Sequence, residues 1–260
     1  MKKSILIYTA IIASFIFTSC KKEEVKVNTY DGKINLTIDA KVDAADFKLN
    51  QNFTIGGKTY NFDKLRYWLS NVILIKTDGT EVAVPSSYFL VEETNEVGID
   101  EGYTYPATKR EDIALKSIPA GDYKAIKFSI GVEQKYNDNL SLQVGELSQM
   151  NGMTNIAWMW RTSYIFFALH GKVTSGATTK DFVAETGLNA NYKSKTIDFA
   201  KTLRIDGDKT ANIKLDLNVA SLLTGLDVFT TNVIGGSTPT EMSTLATNST
   251  NAIMLMSASN

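Results

Sequence analysis

The sequence predicts an all-β fold, an antiparallel β-sandwich with short helices near the C-terminus. Three observations support this prediction. Apolar and polar residues alternate with period 2 in many segments, and these segments are rich in β-branched and aromatic residues. Glycine-containing turns separate them at intervals of about 8–12 residues, which is typical of a sandwich. The chain of 260 residues is long enough to bury a large core.

The first half of the chain contains most of the predicted strands. Turns at Gly56-Gly57, at Asp78-Gly79 and at 119–122 separate several of them. Residues 92–110 are polar with scattered aromatic side chains and predict a long loop. The predicted strands cover 33–39, 50–54, 58–62, 65–76, 82–84, 88–91, 113–118 and 123–132.

The second half begins with residues 136–154, which show no sustained period and predict another loop. Residues 158–173 are long enough for a helix, but their aromatic and β-branched content favours a central strand. Further strands are predicted over 182–187, 195–205 and 211–217. Asn218 is placed to cap a short helix over 218–223, and a longer helix is predicted over 240–252.

The N-terminus has the layout of a secretory signal that ends in a lipoprotein cleavage site. Lys2 and Lys3 precede an apolar run over 5–17, and small residues lead to Cys20, the only cysteine. The run is shorter than the roughly 20 residues that span a membrane. We therefore expect residues 1–19 to be a signal peptide, residues 20–31 a tether lipidated at Cys20, and residues 32–260 the folded domain. The alternative is a plain signal peptide with an incidental cysteine.

The residues that follow Cys20 also indicate where the protein is held. Lys21-Lys22-Glu23-Glu24 resembles the surface-export signal of Bacteroidetes lipoproteins. Two or more acyl chains on Cys20 would hold the protein stably at a bilayer. We expect an outer-membrane lipoprotein, exposed at the cell surface.

Composition excludes several classes of function. The chain has 27 basic and 28 acidic residues, and this balance argues against nucleic-acid binding. His170 is the only histidine, whereas zinc hydrolases, di-histidine copper sites and bis-histidine haem proteins need more. No nucleophile-elbow pattern is present. The sequence therefore predicts a protein that is not an enzyme.

An ordered series of short motifs runs from about residue 60 to 190. In this order and spacing, the motifs resemble the MbnP-like family of extracytoplasmic copper-binding proteins. They are Tyr67-Trp68 with Leu69-Ser70-Asn71-Val72, Tyr88-Phe89-Leu90-Val91, Ile118-Pro119-Ala120-Gly121-Asp122-Tyr123, Phe128-Ser129-Ile130-Gly131-Val132, Gly145-Glu146-Leu147, Gly152-Met153, Trp158-Met159-Trp160, Tyr164-Ile165-Phe166 and Leu169-His170-Gly171.

The resemblance implies a fold, a ligand and partners. Members of the family are secreted or surface-held β-sandwich proteins that bind copper through histidines and an oxidised tryptophan, kynurenine. They work beside a di-haem peroxidase-like protein that makes the modification. The resemblance thus implies copper as a possible cofactor, with a di-haem peroxidase-like protein and an outer-membrane receptor as possible partners.

This chain departs from the family pattern at its histidine and glutamate. Ser163 stands where the family has glycine, His170 stands where it has glutamate, and Glu185 stands where it has histidine. A hairpin turn centred between Ala177 and Thr178 would place residue 170 directly opposite residue 185. Directly opposed side chains have Cβ atoms about 4.5–5.5 Å apart. We expect a cross-strand histidine–carboxylate pair in spite of the exchange.

The candidate metal ligands that follow are His170, Glu185, Trp158, Trp160 and Met153. Each has a structural alternative. For the histidine–glutamate pair the alternative is a structural role that steadies a hairpin, and for the tryptophans and the methionine it is core filling. A calcium site in the loop with Asp138 and Glu146 is a further alternative, although the loop lacks an EF-hand pattern.

The functional expectation is a surface or periplasm-facing lipoprotein that acts in copper binding or acquisition. The alternative is a structural or interaction module that kept the fold and lost the metal. The single histidine favours this alternative, because copper(I) prefers soft or nitrogen donors to carboxylate oxygens.

Overall fold

The computed structural model describes residues 32–100, 102–155, 163–207 and 209–260. Within these ranges the chain forms 18 strands and three short α-helices. The strands are β1 (Gly32–Val42), β2 (Ala45–Asp46), β3 (Asn52–Ile55), β4 (Lys58–Lys76), β5 (Glu81–Ala83), β6 (Tyr88–Thr94), β7 (Val97–Asp100), β8 (Tyr103–Tyr105), β9 (Thr108–Arg110), β10 (Asp112–Ile118), β11 (Gly121–Ile130), β12 (Thr154–Asn155), β13 (Ser163–Ser175), β14 (Thr178–Gly187), β15 (Lys193–Ile205), β16 (Thr210–Asn218), β17 (Val233–Ile234) and β18 (Ile253–Ser259). The helices are α1 (Gln134–Asn137), α2 (Val219–Leu222) and α3 (Pro239–Asn251).

Two sheets form a β-sandwich, as predicted. The smaller sheet has the order β10-β1-β16-β18, with β2 paired to β1. The larger sheet has the order β15-β11-β4-β13-β14-β17, and β3, β5 and β6 also pair with the long strand β4. Most pairings are antiparallel. The pairings of β1 with β16 and of β14 with β17 are parallel, which the sequence analysis did not anticipate.

The inner core lies between the two sheets. Ile34, Leu36 and Ile38 on β1 are all buried there, because alternation places every second side chain on the same face. Phe62 on β4 packs against several aromatic rings, with its centroid 5.4 Å from that of Phe47. The alternation in the sequence therefore identifies the residues whose side chains form the inner core.

A separate group of buried residues covers the opposite, outer face of the larger sheet. We call it the outer apolar cluster. Because the sheet is covered on both faces here, its central strands read as continuous apolar runs instead of alternating ones. The cluster consists of Trp68, Tyr88, Leu90, Val132, Leu147, Met153, Tyr164, Ile165, Phe166 and Ala168.

The structure corrects three predictions of secondary structure. The predicted loop over 92–110 is wrong, because it contains the end of β6 and the short strands β7, β8 and β9. These strands carry polar side chains and so lack the apolar alternation that predicts a strand. Their pairings include Glu92 with Arg110. The predicted loop over 136–154 contains the end of α1, a 3-10 turn over Gln149–Asn151 and the start of β12. The C-terminal strand β18 was not predicted.

Other predictions are confirmed. Helix α2 begins after Asn218, whose side chain accepts a hydrogen bond from the backbone N–H of Ala220. Helix α3 coincides with the predicted C-terminal helix within one residue. Cys20, Trp158 and Trp160 lie outside the described residues. Among the described helices, none has the length and hydrophobicity of a membrane-spanning segment.

Candidate functional site

The hairpin of β13 and β14 brings His170 and Glu185 together. His170 Nε2 lies 2.9 Å from Glu185 Oε1, within hydrogen-bonding distance. Both side chains are largely buried, with 15% and 13% of their surface exposed. The expected contact is therefore present in the structure.

The register of this hairpin differs from the predicted one. Glu185 is paired with Ala168, and His170 with Val183, so the turn is centred between Gly176 and Ala177. Gly176 has a φ of +59°, which suits the tight two-residue loop. The prediction of direct opposition is wrong by two residues. The contact survives because diagonal neighbours on one face of a sheet remain within reach of long side chains.

A lysine completes this group. Lys64 on β4 lies directly opposite His170 on β13, and so on the same face of the sheet. Burial lowers the pKa of Lys64, while the nearby Glu185 carboxylate partly offsets this effect. The pair therefore has a cationic neighbour.

Next to Lys64, the same face holds a fully buried ion pair. Arg66 and Glu92 are directly opposed on β4 and β6, with Arg66 Nε 2.7 Å from Glu92 Oε2. Their side chains are 0% and 3% exposed. We call Lys64, Arg66, Glu92, His170 and Glu185 the outer-face charged cluster.

Tyr105 on β8 covers this ion pair. Its hydroxyl donates a hydrogen bond to Glu92 Oε1, and its ring centroid lies 4.6 Å from Arg66 Cζ. Burial and the bond to Glu92 raise the pKa of Tyr105 to about 12. The tyrosine therefore remains a neutral hydrogen-bond donor to Glu92.

Several buried donors beside the cluster lack acceptors. Five of these donor atoms are buried without a hydrogen-bond partner in the described part of the chain. They are Nη1 and Nη2 of Arg66, Nε1 of Trp68, Oγ of Ser163 and the hydroxyl of Tyr164. Buried polar groups of this kind are uncommon in folded proteins and call for an explanation. They lie on β4 and at the start of β13, which follows the segment that contains Trp158 and Trp160.

A groove of about 380 Å³ adjoins the cluster, and Glu92 and Tyr105 line part of it. Arg110 and Glu146 form a second ion pair in its wall, with Arg110 Nη2 2.8 Å from Glu146 Oε1. Glu146 also accepts a hydrogen bond from the backbone N–H of Leu90. Because Glu146 is engaged in this way, the geometry gives no support to a calcium site in this loop.

Imidazole, thiolate and carboxylate side chains do not gather into a metal site among the described residues. Within these ranges, no group of three or more histidine, cysteine, aspartate or glutamate side chains is placed to hold an ion. Met153 is 1% exposed and packs in the outer apolar cluster, as a core-filling methionine does. Its role as a ligand, like those of Trp158 and Trp160, stays a prediction.

Residues 31–243 match the family described as MbnP. The chain belongs to the MbnP family. The solved structure of MbnP from Methylosinus trichosporium is similar over 76% of this chain and 78% of its own, with 12% sequence identity and a TM-score of 0.48. A comparison with curated proteins gives no match.

The sequence analysis missed Lys64, Arg66 and Glu92. One signal was available, because Arg66 is a charged residue inside the apolar segment over 65–76. A buried charge requires a partner, so its position in a central strand indicated an ion pair. The identity of that partner depended on the pairing of β4 with β6.

Proposed function

We propose that this MbnP family member is a surface lipoprotein that binds copper and acts in its acquisition, with His170 as the imidazole ligand. The observation that carries the proposal is the hydrogen bond between His170 and Glu185. A carboxylate on one ring nitrogen fixes the tautomer and the orientation of a metal-binding histidine. With Nε2 held by Glu185, Nδ1 is the nitrogen left to bind a metal.

Further ligands would come from Trp158 or Trp160, whose role rests on the family resemblance alone. One imidazole with carboxylate oxygens is a poor match for copper(I). We therefore expect weaker binding than in relatives that supply two histidines. The buried donors of Arg66, Trp68 and Tyr164 would suit a carbonyl acceptor, such as the one that oxidation of tryptophan to kynurenine creates.

The first test is a copper(I) titration of the mature protein against a competing chelator. We expect one weak binding site that is lost in His170→Ala and retained in Lys172→Ala, a matched control at an exposed position on the same hairpin. Binding that is unchanged in His170→Ala would contradict the assignment of this residue. Tight stoichiometric binding that requires His170 would show that the expected weakness is wrong.

A second candidate function is a structural or interaction module that has lost the metal. The position of Lys64 favours it, since its ammonium group already lies near Glu185 and would repel a bound cation. Lys64→Met should strengthen copper binding if the site is functional. Absence of binding in both the parent and Lys64→Met would favour the module.

The anchor is tested separately. If Cys20 carries lipid, Cys20→Ser should release the protein from membranes or block its maturation, whereas Ser19→Ala should not. Membrane fractionation measures the first effect, and protease treatment of whole cells tests surface exposure. Full membrane retention of Cys20→Ser would contradict the lipoprotein proposal. An outer-membrane receptor and a di-haem peroxidase-like protein are the partners that we propose for this location.

A further inference from the structure

The C-terminal strand β18 presents two methionines to solvent. Met254 and Met256 are each 57% exposed, more than any other large apolar side chain among the described residues. Their neighbours Ile253, Leu255 and Ala258 pack against the inner core. Met254 and Met256 therefore lie together on the outward face of the smaller sheet.

A β-bulge shapes this part of the strand. Leu255 pairs with Leu215 and Ser257 with Lys214, so Met256 is an extra residue without a partner on β16. Bulges bend a strand and re-aim its side chains. The two methionine Cα atoms are separated by roughly 6–7 Å on strand geometry. Because a methionine side chain has three rotatable bonds, both sulfur atoms can reach a single ion.

We propose that Met254 and Met256 form a surface site for copper(I). Thioether sulfur is a soft donor that selects copper(I) over the hard divalent cations. The proposal rests on the proposed function for the identity of the metal, and it concerns a second site that is separate from the pair of His170 and Glu185. The site is on the other sheet of the sandwich, on β18.

The charged side chains near Met254 and Met256 would not by themselves attract a cation. Asp216, directly opposite Met254, is held by Lys41, with its carboxylate oxygen 2.7 Å from the lysine Nζ. Asp39 also contacts Lys41, and Lys214 lies beside the bulge. These four charged groups balance, so recognition would depend on the sulfur atoms. We therefore expect a monovalent soft ion to bind and Mg²⁺ or Ca²⁺ not to bind.

The test uses the mature protein labelled with 13C at the methionine ε-methyl groups, with Ag(I) as a probe that is not subject to redox change. We expect the methyl resonances of Met254 and Met256 to shift together and to saturate. Met150, which is 51% exposed at a position remote in sequence, is an internal control whose resonance should not move. Met254→Leu should abolish the saturable shift of the Met256 resonance, Met256→Leu should abolish that of Met254, and Met150→Leu should leave both shifts intact.

The outcomes separate this site from the proposed function. No shift at Met254 and Met256 would overturn the site and would favour an apolar contact surface for another protein. An equal shift at Met150 would also overturn it, since binding would then be unspecific. His170→Ala should leave the Met254 and Met256 shifts intact. If copper(I) binding does not depend on His170 while these shifts persist, the proposed role of His170 is contradicted but this site is not.

Discussion

The inner core and the outer face of the larger sheet are both buried, but they are built differently. Between the sheets, rings such as Phe47, Phe62 and Phe182 pack against one another. On the outer face, Trp68 and Tyr164 pack next to the charged residues Arg66 and Glu92. Of the eight buried side-chain atoms without a hydrogen-bond partner in the described ranges, five belong to Arg66, Trp68, Ser163 and Tyr164.

This difference indicates that the two regions contribute to different properties, the inner core to stability and the outer face to chemistry. The inner core can form from apolar residues alone, since burial of apolar surface is its main driving force. The outer face buries charges and donors, which cost free energy unless a partner compensates them. A fold that needed only stability would not require such groups there. The proposed site at His170 therefore lies on the face of the larger sheet that bears this cost.

The largest expected effect comes from breaking the inner core. Phe62 is fully buried among aromatic rings, so Phe62→Ala should lower the free energy of unfolding by about 4 kcal/mol. Leu142→Ala, at an exposed position, should change it by about 0.5 kcal/mol or less. Denaturant unfolding measures both. A loss below about 1 kcal/mol at Phe62 would show that this layer is not the main source of stability.

The next effect tests the buried ion pair on the outer face. Glu92→Leu leaves the Arg66 cation buried without its partner and should cost about 3 kcal/mol. The double variant Arg66→Met with Glu92→Leu should recover most of that loss, because a buried ion pair adds little over apolar residues. Denaturant unfolding of the three proteins gives the comparison. A double variant as unstable as the single one would mean that the pair itself stabilises the fold.

The smallest effect concerns Lys64. Because burial lowers the pKa of Lys64, the folded state binds its proton less tightly than the unfolded state does. The cost is fully present below the lowered pKa and disappears as pH rises through it towards the ordinary value of 10.5. Lys64→Met should raise the free energy of unfolding near neutral pH by about 1 kcal/mol or less.

The pH profile distinguishes this explanation from improved packing. The parent should gain stability relative to Lys64→Met as pH rises in the alkaline range, because the cost of the charge is then relieved. Unfolding measured at several pH values shows the difference between the two proteins. A difference that does not change with pH would assign the gain to packing alone.

Part of the candidate site could be predicted from the sequence. The exchange of glutamate and histidine, together with the turn near residue 177, indicated the contact of His170 with Glu185. The register was wrong because it depends on which two residues form the loop, here Gly176 and Ala177. Lys64 could not be predicted as a third member, since its position depends on a pairing between strands that are far apart in sequence.

The sequence by itself determined the local elements: strands such as β1 and β16 from alternation, and helix α2 from its cap at Asn218. These signals depend on neighbouring residues, which every conformation of the chain retains. The tertiary structure decided the parallel pairing of β1 with β16, the pairing of β6 with β9, and the ion pair of Arg66 with Glu92. Such features depend on which distant segments meet, and burial in a common core decides that, not local preference.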